Sequence, residues 1–94
     1  ATGIAECTSD SGLGATAIQT PTITSASGEI VTDVVATYGG GVLTADAGQT
    51  NRDSGVINGD RYGFSTELGA ASVVTGWTWP DGTSADICGV PIKP

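Results

Sequence analysis

Glu29-Ile30-Val31-Thr32-Asp33-Val34-Val35-Ala36-Thr37-Tyr38 is the stretch that decides the fold class. Val, Ile, Thr and Tyr dominate it, and such residues suit a pleated, half-buried surface. Side chains alternate across a strand, so the stretch carries two rows. Ile30, Thr32, Val34, Ala36 and Tyr38 make one row; Val31, Asp33, Val35 and Thr37 make the other. Ser25-Ala26-Ser27-Gly28 turns the chain before it. Gly39-Gly40-Gly41 breaks it afterwards, and three glycines ask for unusual backbone angles or close packing.

Outward from this strand the same pattern repeats. Val42 to Ala45 reads as a short return strand, followed by a polar stretch from Asp46 to about Gly55. Asn58-Gly59 lies between Val56-Ile57 and Asp60 to Thr66. That dipeptide predicts a two-residue type I′ hairpin, which needs positive φ at both centres. Tyr62, Phe64 and Thr66 then share a face. Ala71 to Trp79 reads as the last long strand, ended by Pro80-Asp81-Gly82. The tail from Ser84 to Pro91-Ile92-Lys93-Pro94 reads as extended. Upstream, Ala15 to Thr24 is a strand candidate that Pro21 demotes to an edge or a bend. No stretch holds a helical apolar period beyond two turns. The expected fold is all-β, one domain over residues 1–94. It is a small antiparallel sandwich, barrel or meander of about five to seven short strands.

Cys7 and Cys88 are the only cysteines and bracket most of the chain. Apolar residues are 38% and aromatics 5%, so the core is thin and a covalent clamp would help. In the chain-entropy model a bridge over about 80 residues contributes about 4–5 kcal/mol. Two thiols in a small, loop-rich chain point to one Cys7–Cys88 disulfide and an oxidising compartment. The expected location is extracellular or cell-surface. The absent initiator Met and the absent signal peptide fit a processed, secreted chain, and no membrane-inserting run is visible.

The net charge is −7, with Arg52, Arg61 and Lys93 as the only cations. A nucleic-acid partner needs several cationic contacts to phosphate, so none is expected. An anionic membrane surface is disfavoured for the same reason.

Chemistry is narrowly bounded. His is absent, and a disulfide removes both thiols, which leaves carboxylates. Asp10-Ser11-Gly12 and Asp53-Ser54-Gly55 resemble the active-site motif of aspartic proteases. That resemblance implies two aspartates sharing a proton in a half-sized, dimeric member. The preceding Cys7-Thr8-Ser9 and Thr50-Asn51-Arg52 depart from the apolar strand residues of that family. Asp46, Gln49, Asn51, Asp53, Asn58 and Asp60 are oxygen donors of the type calcium takes. Loops use the same residues for their own backbone bonds, and no metal or cofactor is expected. Thr20, Thr22 and Thr24 alternate in a way similar to the surface of some ice-binding proteins, which present a flat exposed array.

Trp77 and Trp79 are two apart and share a face with Ala71, Val73 and Thr75. They read first as core. Alternatively they form a sugar-stacking platform with Thr78, Asp81 and Asn58 beside it. The order of Val34-Val35-Ala36-Thr37-Tyr38, Trp77-Thr78-Trp79 and near-terminal Cys88 is similar to the β-rich head of type IV pilins over about half the chain. That family also carries a long N-terminal helix, which this sequence lacks. The expected function is non-enzymatic. The chain reads as a secreted or surface-displayed structural or binding module, with copies of itself (as in a fibre or pilus-like subunit) or another extracellular protein as partner. A glycan bound at Trp77 and Trp79 is the alternative.

Overall fold

The computed structural model describes residues 4–12 and 14–93. They form eight strands and no helix: β1 (Glu6–Asp10), β2 (Ala17–Gln19), β3 (Ile30–Thr37), β4 (Thr44–Ala45), β5 (Thr50–Ile57), β6 (Asp60–Leu68), β7 (Gly76–Thr78) and β8 (Ala85–Ile92). All pairings are antiparallel. The strands make a five-stranded sheet, β1-β8-β3-β6-β5, and a three-stranded sheet, β2-β7-β4. The count of eight exceeds the expected five to seven because Glu6–Asp10 forms a strand beyond those expected and the tail from Ser84, expected only to be extended, forms the full strand β8.

β3 lies at the centre of the larger sheet, between β8 and β6. Its inward row is Val31, Asp33, Val35 and Thr37, all buried. Gly63 and Ser65 of β6 and Ala85, Ile87, Gly89 and Pro91 of β8 continue that buried layer. Against it pack Ile18, Leu43, Trp77 and Trp79, while Ile23, Val31 and Val73 form a smaller cluster. Two sheets thus bury one face each, the two-layer solution for short amphipathic strands.

Three sequence expectations are corrected. Ala71 to Trp79 is not the last long strand: only Gly76–Thr78 is in a ladder, with one Ile23–Val73 bridge upstream. The last long strand is β8, whose small inward residues Gly89 and Pro91 weaken its strand signal. The polar stretch from Asp46 to Gly55 is mostly strand, since β5 begins at Thr50. β5 is an edge strand exposed on both faces, so no apolar alternation was required of it. A bulge at Arg52, between Asn51 and Asp53, interrupts its register. Finally, Thr20 is buried and bonded to Thr75, while Thr22 and Thr24 are exposed. The threonines therefore form no flat array.

The hairpin turn follows the sequence. Asn58 and Gly59 have φ of 51° and 87°, both positive as a type I′ turn requires. Nothing lies within 4 Å of a Cβ placed at Gly59, so a side chain there meets strain rather than a clash. Gly59→Val is expected to cost about 1–3 kcal/mol through backbone strain alone, read by urea denaturation. An unchanged midpoint would mean the turn relaxes to another type.

Cys7 and Cys88 are bonded, as expected, with Cα atoms 4.1 Å apart. They face each other directly in the β1–β8 ladder. The bond lies on the outer face of the larger sheet, with Cys7 exposed and Cys88 half-buried.

Candidate functional site

Trp77 is fully buried and Trp79 nearly so. Trp77 Nε1 donates to Asp33 Oδ2 at 3.1 Å, and Trp79 Nε1 donates to the Ala15 carbonyl at 2.8 Å. Both polar handles are spent inside the fold, and neither ring offers a face to a ligand. Gly63 permits this: a Cβ there would stand 2.7 Å from Trp77 Cη2.

Asp33 is buried, and its carboxylate collects four hydrogen bonds. Oδ1 accepts from Ser65 N at 3.0 Å and Ser65 Oγ at 2.6 Å. Oδ2 accepts from Trp77 Nε1 and, at 3.4 Å, from Gln49 Nε2. Gln49 Oε1 in turn accepts from Gly76 N at 2.7 Å. One carboxylate therefore ties β3 and β6 to the smaller sheet. This is a buried carboxyl group held by donors rather than by a cation.

Glu67 and Asp46 lie near this network. Burial, then the negative charges of Asp33 and Asp46, raise the Glu67 pKa above the ordinary 4.5. Its Oε2 atom is shielded and unpartnered although the residue is only half-buried. Because the folded form holds its proton more tightly than the unfolded chain, ionising Glu67 lowers stability as pH rises from about 4.5 through the folded value. Glu67→Gln is thus expected to raise the melting temperature at neutral pH, with the advantage vanishing as pH falls below the ordinary Glu range. An equal gain at all pH values would assign the effect to packing instead.

Among the described residues no group of three His, Cys, Asp or Glu is placed to hold a metal ion. The calcium-type donors between Asp46 and Asp60 are instead spread along β5 and its turns. Asp10 and Asp53 lie on β1 and β5, the opposite edges of one sheet. Four strand spacings, about 19 Å, separate them, too far to share a proton within one chain.

The feature that remains is the outer face of the five-stranded sheet. Ladder register arranges it in rows across β8, β3 and β6: Ile92–Ile30–Leu68, Val90–Thr32–Thr66, Cys88–Val34–Phe64 and Asp86–Ala36–Tyr62. Leu68 is 81% exposed, and Ile30, Val34, Phe64 and Ile92 lie near 40%. Tyr62 and Phe64 stand edge to face at 6.1 Å. Ala5, Thr32, Val34, Phe64, Cys88 and Val90 help to line a shallow groove of about 200 Å³. Charge enters this face at Asp86, which lines a depression with Val34 and Cys88, and along the edge strand β5. Arg52 Nε donates to Thr66 Oγ1 at 2.8 Å, and Asp53 Oδ2 accepts from Tyr62 OH at 3.4 Å. Natural monomers rarely expose a contiguous apolar face of this kind without using it.

The sequence contained both rows of β3 but not their direction. The row bearing Asp33 and Thr37 looks more polar than that bearing Ile30 and Val34, yet it faces inward. No family model matches the chain, and no curated protein or solved structure matches it.

Proposed function

We propose that this domain is a non-enzymatic structural module of the extracellular or cell-surface space that assembles with copies of itself through the outer face of its larger sheet. The observation that carries this is the charge-free apolar centre of that face, from Ile92–Ile30–Leu68 to Cys88–Val34–Phe64. The disulfide fits an oxidising environment. Burial of both tryptophans favours this reading over a glycan bound at Trp77 and Trp79.

Size supports a second copy as the occupant. Four strands of eight or nine residues and the five-residue β1, about 4.8 Å apart and about 3.3 Å per residue, give a face of at most roughly 24 by 26 Å. Its corrugated accessible area is of the order of the ~800 Å² per partner of a standard interface. Sheets pack face to face at about 10 Å with interdigitating side chains, which the Phe64 and Leu68 ridges suit. A basic partner would complement the −7 net charge but leave the uncharged centre unmatched.

Phe64→Lys and Val34→Lys place charges in that centre. Each is expected to shift the light-scattering mass of an assembling preparation to that of the 9.3 kDa monomer while leaving tryptophan emission unchanged. Assembly that survives both substitutions would move the interface elsewhere, to an edge strand first.

A further inference from the structure

We infer that the Cys7–Cys88 bond is the latch that completes the outer face, so that oxidation turns assembly on. This rests on the self-assembly reading above and adds its control.

Three observations carry it. First, β1 contributes no residue to the buried core, and its pattern is exposed or half-buried throughout. It pairs only with β8, at the sheet edge. A strand so placed opens at low cost unless something else holds it. Second, the bond lies on the outer face in line with Val34 and Phe64. Third, the apolar groove on that face is lined by Ala5, which leads into β1, as well as by Cys88, Val34 and Phe64. The groove keeps its Ala5 wall only while β1 is docked. The core clusters around Trp77 and Ile23 draw nothing from residues 4–10.

Closing the latch is balanced thiol–disulfide exchange. The two thiols give two protons and two electrons to an acceptor disulfide, which leaves as two thiols. In the open form β1 frays and the groove loses its Ala5 wall.

The test compares the native protein before and after dithiothreitol. Intact mass must rise by two hydrogens on reduction. The oxidised protein is expected to assemble. The reduced protein is expected to keep its blue tryptophan emission, to exchange the amides of residues 6–10 at least tenfold faster, and to sediment as a monomer. Cys7→Val/Cys88→Val, which keeps apolar surface without the tie, should also be monomeric. Reduced protein or the double Val variant assembling as the oxidised protein does would overturn the latch. So would loss of the whole fold on reduction, because the core would then depend on the bond. An oxidised protein that never assembles would overturn the proposed function instead. The exchange rates of residues 6–10 still read the latch in that case, and unchanged rates would overturn it separately.

Discussion

Trp77→Ala is expected to lower stability by about 3–5 kcal/mol, the range for truncating a large buried aromatic. Trp77 is fully buried and lies over Gly63, where no side chain could expand to fill the vacated space cheaply. Truncation also removes one donor from Asp33. Guanidinium denaturation followed by Trp79 emission would measure the loss. A change below about 1 kcal/mol would mean the two sheets close over the gap or that Trp77 is not core.

Asp33→Ala should be of similar size, roughly 3–5 kcal/mol, for a different reason. It strands Trp77 Nε1, both Ser65 donors and one Gln49 donor. Each buried unpaired donor costs about 1–3 kcal/mol, moderated where Gln49 can turn to solvent. Asp33→Asn keeps an acceptor for part of the set and should lose less. Equal losses for Ala and Asn would make the negative charge, rather than the acceptor count, the essential property. A neutral Asp33→Ala would contradict the network.

The fold was legible where local chemistry decides. The alternation of Ile30 to Thr37, the Asn58-Gly59 turn and the paired cysteines are each signalled within a few residues or by composition. β5 was not legible, because an edge strand exposed on both faces needs no apolar period. β8 was hidden by Gly89 and Pro91, which pack inward in a strand they would ordinarily weaken. The candidate site depended on a contact no pattern reveals. Trp77 meets Asp33 across 44 positions and so turns the more polar row of β3 inward. With that row buried, Ile30 and Val34 must face out. The expectation of buried tryptophans and the exposed apolar face are thus two sides of one bond.

Self-assembly through an uncharged centre on a chain of charge −7 has a distinctive salt dependence. Salt screens the repulsion between acidic copies but weakens attraction to a basic partner. Sedimentation equilibrium of the oxidised protein over a wide concentration range, at low and high salt, is therefore the most direct test. The expected result is a mass that rises with concentration above 9.3 kDa and rises further with salt. A mass fixed at the monomer value at every concentration and salt would contradict assembly through this face.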